Sequence, residues 1–120
     1  MTSVAAALYE FWHGFGLPVY VEDMVPDHAQ LPYITYSISN PEWRSATSIT
    51  ARVWYRSESI IPLAEKCDEI RDAIGEGISI PVDGGCIWIF QDTNFMQIQP
   101  FEGDNTLKCA YLNMVLQTYI

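Results

Sequence analysis

Few residues in this chain have the types and spacing that could carry out chemistry. His13 and His28 lie far apart and form none of the short histidine spacings of a metal site, so we interpret both as ordinary surface or boundary histidines. The acidic pair Glu22-Asp23 would support general acid–base catalysis only in a buried cleft that shifts its pKa values. No Ser, Thr or Cys has the sequence context of a nucleophile. We therefore predict that the protein is not an enzyme and uses no cofactor or metal.

Two glycine-rich segments invite comparison with nucleotide-binding loops. Asp83-Gly84-Gly85 lacks the lysine and the following helix that a phosphate-binding loop requires. It lies between two strand-like segments, which predicts a hairpin turn. Gly75 and Gly77 follow a helical pattern instead of preceding one, so they are predicted to end a helix.

The composition is that of one acidic globular domain. The chain has 120 residues, of which 49% are hydrophobic, so it can bury a core without disulfide bonds or a structural metal ion. Fifteen acidic and six basic residues give a net charge of −9, and residues 1–43 contain no Lys or Arg. Binding to nucleic acid or to an anionic membrane requires a basic patch. We therefore predict neither as a specific partner.

The cysteines and the N-terminus indicate a cellular compartment. Cys67, Cys86 and Cys109 have no Cys-x-x-Cys spacing and lie in apolar stretches, so we expect buried, reduced thiols. The N-terminus lacks the basic region of a signal peptide, and no apolar run is long enough to span a membrane. We expect a soluble protein made in the cytoplasm.

Two amphipathic segments predict helices. The first runs over Val4–His13, with Ser3 as its N-cap. The second follows Ser59 as its predicted N-cap and tolerates Pro62 in its first turn, where amides lack helical partners. Its apolar stripe consists of Ile60, Leu63, Ala64, Cys67, Ile70 and Ile74, opposite a charged face.

Strand patterns fill most of the remaining chain. A short edge strand is predicted at Val19–Val21, followed by a hairpin of residues 33–39 and 47–56. A second hairpin joins Ile78–Val82 to residues 86–90, and a last long strand covers residues 107–120. Residues 91–106 are predicted to form an irregular loop. The expected fold is one α+β domain over residues 1–120, in the order α-β-β-α-β-β-β, with two helices on one face of a mostly antiparallel sheet.

Aromatic and arginine residues mark candidate protein-contact surfaces. The tip of the first predicted hairpin carries Trp43 and Arg44, residue types that are enriched at interface hot spots. Trp43 either contacts a partner or folds back over the domain's own core, and the pattern favours neither. Arg52, Trp54 and Arg56 share one side of their strand, which is either an assembly surface or a place where Trp54 covers the sheet edge.

The predicted loop 91–106 carries two further candidates, Phe95 and Phe101. Long loops in compact domains are often functional. The alternative is that both rings anchor the loop on the core, and the sequence slightly favours that alternative.

A series of short segments then suggests a family. In chain order they include Phe15-Gly16-Leu17-Pro18, Pro32-Tyr33-Ile34-Thr35-Tyr36, Trp43-Arg44, Ala51-Arg52-Val53-Trp54-Tyr55-Arg56-Ser57, Asp83-Gly84-Gly85-Cys86-Ile87-Trp88 and Lys108-Cys109-Ala110-Tyr111-Leu112-Asn113. From about Leu8 onward, the chain resembles the tail terminator (tail completion) proteins of long-tailed bacteriophages and prophages.

This resemblance implies a mechanical role in the virion. Such subunits form a ring, expected to be a hexamer, on the head-proximal end of the tail tube. The ring stops tube polymerisation and offers the surface to which the head joins, and DNA passes through it. The implied partners are further copies of the chain, the tail-tube protein and a head-completion or connector protein. The family has no catalytic residues to transfer.

A ring needs two different contact patches on each subunit. The Trp43/Arg44 tip and the 91–106 loop are the candidates from the sequence. The acidic excess would suit either a channel that repels DNA or an acidic outer surface. The alternatives are another head–tail connector, a tail-tube component that stacks into long polymers, or a small ligand-binding domain with a closed apolar pocket.

Overall fold

The computed structural model describes residues 3–37, 46–99 and 103–119. Two helices, α1 (Val4–His13) and α2 (Ile61–Ile74), occur in these ranges. The strands are β1 (Val19–Val21), β2 (Tyr33–Tyr36), β3 (Ala46–Arg56), β4 (Ile78–Val82), β5 (Gly85–Gln99) and β6 (Leu107–Tyr119). The α+β class is therefore confirmed. The observed order is the predicted α-β-β-α-β-β-β with the short strand β1 added before β2.

The described strands form one sheet in the order β1-β2-β3-β6-β5-β4. β1 and β2 are parallel, and every other neighbouring pair is antiparallel. Both predicted hairpin pairings, β2 with β3 and β4 with β5, are present. The last strand, β6, lies in the middle of the sheet between β3 and β5. The centre of the sheet therefore depends on contacts between segments far apart in sequence.

Both helices pack on the same face of the sheet. The buried side chains of α1 and α2 form one cluster with Ile49, Ala51 and Val53 of β3. Alternate residues of β6 join them, which are Ala110, Leu112, Met114 and Leu116. Because strand residues two apart share a face, these residues define the inward side of the sheet.

The sheet curls around α1. The Ser3 hydroxyl accepts a hydrogen bond from the Ala6 amide at 3.1 Å, so Ser3 is the predicted N-cap. α1 contacts both β1 and β4, the two edge strands. Five strand spacings of about 4.8 Å would separate these edges by about 24 Å in a flat sheet, whereas a ten-residue helix is about 15 Å long. The edges are therefore drawn toward each other around the helix.

α2 begins close to its predicted cap. Ile60 is the N-cap by backbone position, and the Ser59 hydroxyl accepts a hydrogen bond from the Ile61 amide at 3.1 Å. Leu63, Cys67, Ile70 and Ile74 of the predicted stripe are buried. Ile60, the first residue of that stripe, is instead 39% exposed. It is the N-cap and lies just before the first residue of α2.

The predicted loop 91–106 is wrong over residues 91–99, where strand β5 continues to Gln99. Gln91 pairs with Met114 and Met96 with Leu112, so residues 92–95 lie opposite Asn113 alone. This bulge interrupts the alternation of side chains from which a strand is recognised in the sequence. The Gln91 side-chain amide donates to the carbonyl oxygens of Arg71, at 3.2 Å, and Gly75, at 2.9 Å, which joins β5 to the C-terminal end of α2.

Neither helix of the described ranges is long and apolar enough to cross a membrane.

Candidate interaction surface

The sheet face opposite the helices is built from the outward residues of the central strands. Because Ile49, Ala51 and Val53 point into the core, their neighbours on β3 point outward. The strand register places outward residues of β2, β6 and β5 beside them. We call this surface the outer face, and its residues are Tyr33, Thr35, Ser48, Thr50, Arg52, Trp54, Trp88, Phe90, Cys109, Tyr111, Asn113, Val115 and Gln117.

Three aromatic rings in contact lie in a row on one side of the outer face, and a hydrogen bond holds one of them. The Trp54 indole Nε1 donates to the Thr35 hydroxyl at 3.1 Å. The Tyr33 ring lies 6.3 Å from the Trp54 ring and is itself in edge-to-face contact with Tyr20, at 5.6 Å between centroids. These contacts fix the orientation of the Trp54 ring on the sheet.

The positive charge of Arg52 on the outer face is paired with the carboxylate of Glu22. Its Nε atom lies 3.1 Å from a carboxylate oxygen of Glu22, with the two side chains 36% and 27% exposed. Both atoms are buried and lack a well-aligned hydrogen bond, so the contact is a close ion pair in which the N–H does not point at the oxygen. The guanidinium also lies 4.6 Å from the centre of the Tyr111 ring.

The connection from β1 to β2 covers the outer face beside Arg52. Glu22, Asp23 and Val25 from this connection enclose a shallow cavity of about 170 Å³ against Tyr33, Thr35, Arg52 and Trp54. Thr35 is consequently buried, although it faces away from the helices. Trp54 thus lies in a partly covered region of the face.

The outer-face residues named on β6 and β5 are uncharged, and three of them, Trp88, Phe90 and Tyr111, are aromatic. The Trp88 and Phe90 rings stack with centroids 5.9 Å apart and planes 9° apart. A Cβ atom at Gly77 would lie 2.6 Å from two ring carbons of Phe90, so glycine allows this ring to lie against the chain before β4. The Asn113 side-chain amide donates to the Asn94 carbonyl at 2.9 Å. Aromatic side chains with few charges among them are typical of the centres of protein interfaces.

A second apolar patch lies at the start of α2. Ile60 and Ile98 are 39% and 38% exposed and line a cavity of about 320 Å³ together with Leu107. Ile61, the next residue, is 58% exposed. We call Ile60, Ile61 and Ile98 the isoleucine cluster. Two exposed isoleucines at one cavity, with a third beside them in the chain, indicate a contact surface more strongly than single exposed residues do.

Arg56 lies at the end of β3, away from the other outer-face candidates. Its guanidinium donates to Asp104 at 2.8 Å and to the Thr106 hydroxyl at 3.0 Å. The Thr106 hydroxyl and Arg56 together hold the pKa of the Asp104 carboxyl well below its ordinary value. Arg56 therefore stabilises the chain segment before β6.

The predicted interface residues thus separate into three groups. Arg52 and Trp54 share the outer face, and Arg56 follows at its end. Phe95 does not lie in a loop; it lies on β5, is 9% exposed and belongs to the core cluster. Trp43, Arg44 and Phe101 lie outside the described residues.

Sequence reasoning missed Trp88, Phe90, Tyr111 and Val115, as well as the isoleucine cluster. A signal was present in the last strand, where the positions between the core residues are Tyr111, Asn113, Val115 and Gln117. An exposed strand face of an acidic protein normally carries charges, so four uncharged positions in succession indicate a covered face.

Two of the three thiols, those of Cys67 and Cys109, are buried in the domain. Burial raises the pKa of Cys67 and of Cys109 to about 12, so both remain protonated. No group of three or more His, Cys, Asp or Glu side chains among the described residues is placed to hold a metal ion.

Comparisons with known proteins find a similarity of fold. No protein-family model and no curated protein matches the sequence. Among solved structures, the fold is similar to that of a chain in the virion of a native gene transfer agent (GTA) particle. The TM-score is 0.73 over 96% of this chain and 93% of that chain, at 12% sequence identity. At this identity the similarity shows a common fold.

Proposed function

We propose that this protein is a structural component of a phage-like virion, and within it the tail terminator. It forms a ring, expected to be a hexamer, on the head-proximal end of the tail tube. The observation that carries this proposal is the fold shared with a chain of the gene transfer agent virion over nearly the whole of both chains. The ordered segments that resemble tail terminators supply the more specific role.

The surfaces of the molecule support an assembly role. A cyclic ring is built from head-to-tail contacts, so each subunit must present two unlike patches. The outer face and the isoleucine cluster are two such patches, and they contain apolar side chains left accessible by the fold. The other proposed partners, the tail-tube protein and a head-completion or connector protein, contact the two rims of the ring.

Charge favours a ring through which DNA passes without being gripped. The net charge is −9, and the cations Arg52, Arg56, Lys66 and Arg71 are each paired with a carboxylate. Specific DNA binding needs unpaired basic groups that replace counterions on the phosphates. We therefore expect no measurable retention of DNA by the assembled ring at physiological salt.

The test is native mass spectrometry over a range of protein concentrations, with negative-stain imaging of the same samples. The proposal predicts closed rings of one size that do not stack. Long stacked tubes would instead assign the chain to the tail tube. A chain that stays monomeric is then incubated with purified tail tubes, and a single ring at one tube end is the expected result.

A small ligand-binding domain would give the opposite result, both in the native mass and imaging experiment and in the incubation with tail tubes. It would remain a monomer or dimer and would not bind to tubes. The cavity of about 320 Å³ beside the isoleucine cluster lies at the surface, whereas ligand sites enclose most of the ligand. This observation favours the assembly role.

A further inference from the structure

We propose that the outer face of one copy packs against the isoleucine cluster of the next copy, and that this contact closes the ring. The inference rests on the proposed ring function and names the two surfaces that build it. On the outer face, the contact centres on Trp88, Phe90 and Val115. On the neighbouring copy, Ile60, Ile61 and Ile98 pack onto those side chains.

Charge argues that these surfaces meet each other. Each copy carries a net charge of −9, so two copies repel wherever their acidic surfaces approach. The solvent side of α2 is such a surface, because it exposes Glu65, Asp68, Glu69 and Asp72. None of the outer-face residues named on β6 and β5 is acidic or basic, and Arg52 on the neighbouring strand β3 is paired with Glu22. Copies of this chain can therefore approach closely through the outer face.

The open part of the outer face is large enough to contact several side chains of a neighbour. The strands β6 and β5 occupy a width of about 10 Å, and residues 109–119 of β6, which span their pairing, extend about 36 Å, so the projected area is about 350 Å². Side-chain relief increases the accessible area toward the roughly 800 Å² per partner of a standard interface. A single exposed side chain would not provide such an area.

The positions of the two patches favour a head-to-tail contact. The outer face lies on the sheet layer, whereas Ile60 and Ile61 lie on the helix layer at the start of α2. A copy can therefore contact one neighbour through its sheet and another through its helix layer. Contacts of this kind form rings when the rotation between copies closes. Two outer faces packed on each other would give only a closed dimer.

Two charged variants test the two surfaces. Val115→Lys places a charge on the outer face, and Ile61→Lys places one in the isoleucine cluster. Each is expected to weaken self-association by about 30-fold or more, as loss of a hot spot does. Met24→Lys is the matched control, because Met24 is 72% exposed and belongs to neither patch. Circular dichroism and the unfolding midpoint show whether each variant retains the fold.

A mixture of the two variants distinguishes head-to-tail contact from other arrangements. Val115→Lys retains an intact isoleucine cluster, and Ile61→Lys retains an intact outer face. An equimolar mixture should therefore form one-to-one dimers, although each variant alone is monomeric. Assembly of either variant at wild-type affinity, or a mixture that stays monomeric, would overturn the proposal.

Cross-linking covers the case in which wild-type copies associate only weakly. In a Cys86→Ser background, the double variant Val115→Cys/Ile61→Cys is treated at high concentration with a short bis-maleimide. A ladder of products larger than dimers supports the contact, and products no larger than those of Val115→Cys/Met24→Cys overturn it. If the wild-type chain forms rings and all these variants form them equally well, the proposed interface is refuted and the proposed function stands. Absence of both rings and ladder, with no binding to tail tubes, would refute both.

Discussion

The Gln91 side chain provides a test of how strand β5 is joined to helix α2. Its amide donates two hydrogen bonds, to the carbonyl oxygens of Arg71 and Gly75 at the C-terminal end of α2. The Arg71 carbonyl also accepts a hydrogen bond from the Gly75 amide at 2.8 Å, so Gln91 is a second donor there. Gly75 follows the last turn of α2, where carbonyls have no helical partner. Gln91→Ala removes both donors while leaving the strand backbone unchanged.

The expected loss follows from the exposure of this site. A buried hydrogen bond contributes about 0.5–1.5 kcal/mol, and the low end applies where water can replace the donor. Gly75 and Arg71 are exposed, so we expect Gln91→Ala to lower the free energy of unfolding by about 1–1.5 kcal/mol. With an unfolding entropy of about 0.25 kcal/mol/K for a chain of this length, the melting temperature falls by about 4–6 °C.

The assay is urea and thermal unfolding followed by circular dichroism, under conditions in which the chain is monomeric. Gln97→Ala is the control, because Gln97 lies on the same strand and is exposed. We expect the control to change the free energy of unfolding by less than about 0.5 kcal/mol. Equal losses for the two variants would refute the capping role of Gln91.

A carboxylate at the same position gives a pH-dependent version of this test. Gln91→Glu should be less stable than Gln91→Ala at pH 7, because a negative charge then faces the negative end of α2. That environment raises the pKa of the new carboxyl in the folded state, so stability recovers as the pH falls through this pKa. A deficit that is the same at pH 7 and near pH 4 would contradict the placement of Gln91.

Two further predictions concern titrating groups. The hydroxyl of Thr106 and the Arg56 guanidinium hold the pKa of Asp104 below its ordinary value, so Asp104 stabilises the fold above that ordinary pKa and ceases to do so as the pH falls through the lowered one. Arg56→Ala should therefore raise the pKa of Asp104 in an NMR titration, and an unchanged value would contradict the pairing. Cys67 and Cys109 are buried, with pKa values raised to about 12, so a thiol reagent at pH 8 should modify only Cys86 in the folded chain and all three thiols in denaturant. Rapid modification of all three in the folded chain would show that the core is open.

Elements with strong local patterns were predicted correctly from the sequence. Helix α1 matches its predicted range, because Ser3 caps it and Gly14 ends it. Strand β3 alternates cleanly between core residues and outward residues, and its outward side carries Arg52 and Trp54 as predicted. In these segments, a single rule of periodicity or capping determines the local structure.

The second half of β5 could not be recognised in the same way. Gln91, Asp92, Thr93 and Asn94 form a polar run that is typical of a loop. The bulge between Gln91 and Met96 breaks the alternation, and the pairing partner is β6, which lies later in the chain. Tertiary pairing therefore overrides the local signal, as is usual for strands.

The candidate surface was predicted only in part for a related reason. Arg52 and Trp54 were found because their strand is locally clear. Trp88 and Val115 were missed because their shared face exists only when β6 lies between β3 and β5. The isoleucine cluster depends on the end of β5 meeting the start of α2, a contact that no local pattern encodes.

The proposed role as a tail terminator is best tested by imaging purified tail tubes after incubation with the gold-labelled protein. A terminator should place label at one end of each tube, the end that joins the head, and should prevent further tube growth from that end. Label distributed along the tubes would refute the terminator role and indicate a tube subunit. Absence of label from both ends, with unlabelled protein failing to compete for any site, would contradict a role in the tail altogether.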